Sequence, residues 1–333
     1  MTNGSNLEEI RRKDAEIAKL ITEMIALTEG MDAESLSVIS KAPGFDVEAR
    51  RIIADAIARQ QVLSSYIVRK TDNPLEIAII GGAGKMGAWF ARFLTTEGHH
   101  VTVIDPASGN GKTIEDCHDS DAVIVSVPIH STDKVLRELD SICRKDALIF
   151  DLASLKSPAV ATLKDMAKRR RVCSIHPMFG PSAENLSGRN IIVCDCGCAD
   201  AAETVRKMFD GRGANIRVMD IEDHDVYMSY VLGLSHAVNI AFFTALDRSG
   251  ISFRDMNSVA STTFRKNLDT NISVALEDPV LYYEIQHMNV HRDEVWDLFS
   301  KAVEDLRKAS LSDDPSAFIG LMENGRNYFT QQS

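Results

Sequence analysis

Positive charge is scarce in this chain: 37 Lys and Arg stand against 48 Asp and Glu, a formal net charge of −11. Nucleic-acid affinity needs clustered cations to displace counterions from phosphates, so no nucleic-acid partner is expected. A small anionic substrate stays open, because a pocket can be locally basic in an acidic protein. Long apolar runs are also missing. No stretch approaches the roughly 18 apolar residues of a membrane span, and the start, MTNGSNLEEIRRKD, lacks the basic start and apolar run of a signal peptide. A cytoplasmic protein without a membrane partner is the expectation. The six cysteines (117, 143, 173, 194, 196 and 198) lack the C-x-x-C spacing of a structural zinc site, so no metal is expected. Alternation in NIIVCDCGC puts Cys194, Cys196 and Cys198 on one face at a strand end, where reduced thiols pack as small apolar groups. Repeats and low-complexity segments are absent.

What is present is the make-up of a globular chain, 333 residues with 44% hydrophobic and 26% charged, long enough for two or three domains. Leu7, Ile10, Ile17, Leu20, Ile21, Met24 and Leu27 recur at helical spacing and Gly30 ends the run. A short helix near 33–40 and a third from about Asp46 to Arg69 complete an all-helical segment, closed by the linker Thr71-Asp72-Asn73-Pro74. From Leu75 the pattern changes. EIAIIGG, HHVTVID, DAVIVSVPI, DALIFDLAS, RRVCSIHP, NIIVCD and ANIRVMD read as buried strands with helix-length segments between most of them, which predicts an α/β fold with a doubly wound parallel sheet of Rossmann type. Strands stop near Asp220, and DHDVYMSYVLGLSHAVNIAFFTALDR opens a helical remainder running to about Tyr328. The expected domains are 1–72, 73–219 and 220–333.

Gly82, Gly84 and Gly87 spell G-x-G-x-x-G in GAGKMG, between a strand and a helix, the setting in which this otherwise weak motif marks a dinucleotide site. The first glycine permits a tight turn, the second a close approach of backbone to pyrophosphate, and the third close packing of helix on strand. Lys85 and Met86 complete the loop, whose N–H groups open the helix toward the phosphates. Asp105 ends the next strand, where its carboxylate can accept bonds from the ribose hydroxyls and repel a 2′-phosphate, so NAD is expected over NADP. Val127 and Pro128 in IVSVPIH fall at a strand's carboxyl end and should border the cofactor. The rival is a glycine-rich turn that binds nothing.

DLASLK (151–156) and SIHPMFGP (174–181) also lie at carboxyl ends of expected strands. With SVPI, a later His224-Asp225 pair and Arg265 in the helical part, they occur in the order that makes residues 76–310 resemble the prephenate dehydrogenase family, most closely the form fused to chorismate mutase in enteric bacteria. The resemblance implies oxidative decarboxylation of prephenate to 4-hydroxyphenylpyruvate with NAD as hydride acceptor, in a homodimer. It casts His176 as the general base on the ring hydroxyl, Ser154 as the residue orienting it, Arg265 as the grip on the ring carboxylate and His236 as a pocket residue near the pyruvyl side chain. Gly233 stands where some family members have a further His. Lys156, two residues after Ser154, can reach a substrate carboxylate if the strand geometry persists. Against these stand plainer readings: Ser154 as a helix cap with Lys156 its solvated neighbour, Arg265 as a surface residue, and His224-Asp225 as a helix start.

Residues 6–69 resemble the helical chorismate mutase domain in length, layout and position. Anchored on Asp14, that family's arginine positions fall on Leu7 and Met24, its lysine on Ser35, its Arg-Glu pair on Ala49-Arg50 and its Gln region on LSSY, which implies a mutase-derived segment without activity, kept for dimerisation or for docking a separate chorismate mutase; the alternative alignment, with a helical deletion, brings Arg11 into place. Rival functions are arogenate dehydrogenase, a 3-hydroxyacid dehydrogenase, and a protein that senses NAD without turnover.

Overall fold

The computed structural model describes residues 71–330 and, nearer the N-terminus, positions 12, 13, 16, 19, 20 and 23, which are helical. The mutase-like reading of residues 1–72 otherwise lies outside the described residues.

All seven expected strands form one sheet: β1 Glu76–Ile80, β2 His100–Ile104, β3 Ala122–Val125, β4 Leu148–Asp151, β5 Arg171–Pro177, β6 Asn190–Asp195 and β7 Asn215–Asp220, in the order β2-β1-β3-β4-β5-β6-β7. Alternation along each strand sends side chains to opposite faces. Ile77 and Ile79 join Trp89, Phe90 and Phe93 of α1 (Lys85–Thr96) and Phe209 of α4 (Ala199–Phe209). On the other face, Ala78 and Ile80 join Leu136 and Leu139 of α2 (Ile129–Ile142) and Leu163 and Met166 of α3 (Val160–Ala167). Helices thus cover both faces.

The sheet departs from the parallel expectation in one place. β6 runs antiparallel to β5, with His176 opposite Ile192, while the other neighbours pair in parallel. A parallel return needs a crossover, usually a helix, whereas residues 178–189 contain none. The strand carrying the cysteine alternation ends at Asp195, and the positive φ of Gly197 (102°) turns the chain. Cys194 and Cys196 therefore pack in one core while Cys198 packs against the other, so the three do not share a face. Burial raises the Cys194 thiol to about 12, which suits packing and not reactivity.

After Asp220 the chain is helical: α5 (Ile221–Met228), a π-helical turn (Ser229–Leu234) and α6 (Ser235–Arg248) run on continuously, followed by α7 (Phe253–Ser258), α8 (Thr262–Ala275), α9 (Pro279–Met288), α10 (Arg292–Ser310) and α11 (Ser316–Thr330). Contrary to the expectation about apolar runs, Ile221–Arg248, with a mean hydropathy of 1.4 in its best window, is by length and composition apolar enough to cross a membrane. Interspersed Ser, Gly, His and Asn hide it from a search for unbroken apolar residues, yet they carry no charge. Here α8 packs on α6, and α9 and α10 on the π-helical turn. Large apolar side chains remain exposed on this domain, among them Val259, Leu276, Leu311 and Phe329.

Candidate active site

The carboxyl ends of β1, β3, β4 and β5 share one edge of the sheet, and the expected motifs meet there. At the end of β1 the left-handed residue is Gly81 (φ 76°), one position before the G-x-G-x-x-G motif. A Cβ there would fall 2.1 Å from the carbonyl oxygen of Ser126. Gly82 is confined differently, since its Cβ would meet Ile79 O and a Val103 methyl at 2.9 Å. At Gly87 a Cβ would stand 2.4 Å from Gly81 O, so only glycine lets α1 lie this close to the turn. Gly84 caps α1 with no side-chain hydrogen bond, which leaves first-turn N–H groups for an anionic ligand. Lys85 is exposed beside them and Met86 packs toward the core. Asp105 accepts from Ala83 N at 3.1 Å on one oxygen and from Ala107 N at 2.8 Å on the other, so one oxygen is tied to the glycine loop, the other caps the turn after β2, and each keeps a lone pair for a further donor. Val127 packs beside Gly81, and Pro128 caps α2. A capless helix start, a turn only glycine fills and a fixed carboxylate fit a dinucleotide.

His176, at the end of β5, is buried, and its Nδ1 lies 3.0 Å from His224 Nε2. Burial, together with the nearby His224 and Lys156, holds its pKa well below the ordinary 6.5, so the ring is neutral near pH 7. The segment after it is pinned over α1: Phe179 meets Trp89 edge-on at 5.1 Å, and Trp89 Nε1 donates to Ala183 O at 2.6 Å.

Two expected residues take other places. Lys156 is fully buried and spends its three N–H bonds inside the protein, on Asp151 Oδ1 at 3.1 Å, Ala153 O at 2.6 Å and Ile175 O at 2.8 Å. It therefore braces β4 and β5 beside His176 and has no donor left for a substrate carboxylate, nor is it a solvated neighbour. Ser154 is half-buried, and among the described residues no hydrogen bond joins it to His176. The side-chain hydrogen bond to the His176 ring is made by His224, the first residue of the His224-Asp225 pair.

His236 is buried just beyond the π-helical turn, its ring stacked on Tyr282 at 4.1 Å, with Nδ1 buried and unpartnered. Burial lowers its pKa to about 4. The turn itself was invisible in the sequence; such turns gather at functional sites, and Gln286 Nε2 answers one of its carbonyls, Gly233 O, at 2.7 Å. Arg265 is exposed on α8 with no ion pair among the described residues. No hydrogen bond or ring contact links it or His236 to His176 among the described residues.

Comparison with known proteins places this geometry. The family profile "Prephenate dehydrogenase, nucleotide-binding domain" matches residues 91–218, and "Prephenate dehydrogenase, dimerization domain" matches 220–324. The first match begins after the glycine loop, which is thus read from its own geometry. The chain is 27% identical over 276 residues to the "Probable arogenate/prephenate dehydrogenase" of Methanocaldococcus jannaschii, covering 78% of this chain and 62% of that protein. It is 29% identical over 211 residues to the T-protein of Enterobacter agglomerans, covering 63% and 55%. The chain thus spans less than two thirds of the length of these relatives. Among solved structures, prephenate dehydrogenase from A. aeolicus in complex with hydroxyphenyl propionate and NAD+ matches with a TM-score of 0.63 at 20% identity, over 79% of this chain and all of that one. Synechocystis arogenate dehydrogenase matches with a TM-score of 0.55 at 17% identity, over 77% and 100%. With both family domains in sequence order on the sheet and the helices that carry the site, the chain belongs to the prephenate dehydrogenase family.

Proposed function

We propose that this protein is an NAD-dependent dehydrogenase that oxidatively decarboxylates prephenate to 4-hydroxyphenylpyruvate. The observation that carries the reading is a buried, neutral His176 on the same sheet edge as the Gly81–Gly87 turn. A hydride acceptor is what NAD supplies when bound. His176 Nε2 receives the proton of the ring hydroxyl as the carbon bearing it loses hydride and the C–O bond becomes C=O. The ring carboxylate then leaves as carbon dioxide, the electron pair of its bond makes the ring aromatic, and the ring oxygen takes the proton back from His176. Atoms and charge balance with no net proton released. Arg265 is the cation for the ring carboxylate, a role for which a planar two-pronged donor is suited, and the unpartnered His236 Nδ1 is a bonding site for the pyruvyl side chain. Ser154, half-buried just after β4 at the same sheet edge, is the residue for contact with the substrate hydroxyl.

Arogenate is the second reading, favoured by the names of the M. jannaschii and Synechocystis proteins. Crossing prephenate and arogenate with NAD and NADP in steady-state assays of NADH or NADPH formation separates them. No turnover of either substrate would leave the NAD-sensing reading.

The exposed apolar side chains of the helical domain and its match to a dimerization domain support a homodimer, and a cytoplasmic location goes with this biosynthetic role. The domain limits 1–72, 73–219 and 220–333 are part of the same reading. Residues 1–72 are proposed as a mutase-derived segment that has lost activity, because Leu7, Met24 and Ser35 replace cations. Each missing donor to a developing charge typically costs about 10²- to 10³-fold. Chorismate incubated with the protein without NAD should therefore persist, and loss at ordinary enzymatic rates would contradict the proposal.

A further inference from the structure

We infer that His224 and Asp225 are positioning residues for His176, a buried relay that fixes its tautomer and accepts its second proton during turnover. The inference rests on the catalytic reading of His176 given above, but its geometry does not.

Asp225 anchors the far end of the relay. Its carboxylate accepts from the N–H groups of Lys156 (2.9 and 3.0 Å) and Ser157 (2.6 Å) and from the Ser157 hydroxyl. Burial pushes the carboxyl up, but the bonds from His224, Ser157 and Lys156 outweigh it and hold it below the ordinary carboxylate value. An ionised carboxylate can only accept, so His224 Nδ1, 2.6 Å from Asp225 Oδ1, must carry a hydrogen. Burial lowers the pKa of His224 against the opposing pull of Asp225, so the ring is neutral and its Nε2 holds a lone pair. That lone pair faces His176 Nδ1 at 3.0 Å, so Nδ1 of His176 carries the hydrogen and donates it. Only Nε2 of His176 is left as a base. It has no protein partner among the described residues, yet it is not among the sealed, unpartnered atoms, as His236 Nδ1 is.

The relay is held from several elements. Asn289, after α9, donates to Asp225 O at 2.9 Å, and Lys156 holds Ile175 O, the carbonyl preceding His176. The charged and titratable groups that act on His176 are His224 on α5 and Lys156 after β4, with Asp225 and Asp151 one bond further out, on His224 and on Lys156. Among these the two histidines and Asp225 form the unbroken hydrogen-bonded line. When His176 Nε2 takes the substrate proton, the Nδ1 proton passes to His224 Nε2. The resulting imidazolium of His224 then lies against the Asp225 carboxylate. Return of the proton to the phenol oxygen reverses both transfers, so the relay stores charge without consuming anything.

The test reads the ring nitrogens by ¹⁵N NMR of histidine-labelled, ligand-free protein, with His176 assigned by its disappearance in His176→Asn. The expected result is a protonated Nδ1 and a bare Nε2 on His176 at neutral pH; a protonated Nε2 would overturn the relay. His224→Phe should release the tautomer and lower kcat by roughly 10- to 10²-fold, within the contribution of a general base, while KM changes little. His224→Gln, whose carboxamide oxygen can accept from His176 Nδ1, should restore the wild-type tautomer and only part of kcat. If His224→Phe leaves the tautomer unchanged and kcat follows only the folded fraction measured by circular dichroism, the relay is refuted. The spectrum of the wild type needs neither a buried substitution nor a substrate. A protein that turns over neither prephenate nor arogenate but shows the expected tautomer would thus remove the catalytic reading, and the proton transfer with it, while the tautomer-fixing contacts of His224 and Asp225 stand.

Discussion

Asp105 and Ala83 are joined by a 3.1 Å hydrogen bond from the Ala83 N–H to the Asp105 carboxylate, which ties the end of β2 to the turn after β1. The acidic residue is therefore held at the glycine loop before any cofactor arrives. Its charge opposes a 2′-phosphate, and wild-type protein should prefer NAD in kcat/KM. Asp105→Ser should narrow the gap, measured as the ratio of kcat/KM values for the two cofactors. A wild-type preference for NADP would contradict this reading.

The Lys156–Asp151 pair is sealed from solvent, with both side chains essentially unexposed. Removing one partner of such a pair leaves an uncompensated buried charge and typically costs about 3–5 kcal/mol. Lys156→Met should lose stability on that scale in urea unfolding, and adding Asp151→Asn should recover part of it. A Lys156→Met protein of native stability with a raised KM would return Lys156 to the substrate-binding role first expected of it.

That reversal shows where the sequence stopped being legible. Strands, both helical layers and the glycine motif follow from period and turn chemistry, which are local. The reversed direction of β6 was hidden because NIIVCD reads as a buried strand whichever way it runs; the sign was the lack of a helical pattern in residues 178–189. Gly81 was passed over because the motif pattern begins one residue later, though its positive φ and its contact with Ser126 make it the most restricted glycine of the turn. For DLASLK the pattern placed the segment at the correct sheet edge, but which side chain turns inward depends on an acceptor on the next strand, Ile175 O, which joins the nearby Ala153 O and which no spacing within the motif encodes. His224 and Asp225 stand 48 and 49 residues after His176, so their union is visible only in three dimensions.

His236 should leave a mark on stability as pH falls. Its pKa is about 4 in the folded protein against an ordinary 6.5, so between these values the unfolded chain binds more protons. The stabilisation is complete above about pH 6.5 and is lost as the pH falls toward about 4. His176 and His224 act in the same direction, so the difference from His236→Phe, which keeps an aromatic ring against Tyr282, isolates one histidine. Unfolding free energies measured in urea across this range should fall less steeply for the variant. Equal slopes would show that His236 is not held neutral.

The central claim is that His176 removes the proton while Arg265 holds the carboxylate, and NADH formation from prephenate, followed in wild type, His176→Asn and Arg265→Ala, tests it most directly. Wild type should turn prephenate over, His176→Asn should lose roughly 10²- to 10⁴-fold in kcat, and Arg265→Ala should chiefly raise KM. Near-native kcat in His176→Asn would contradict the account.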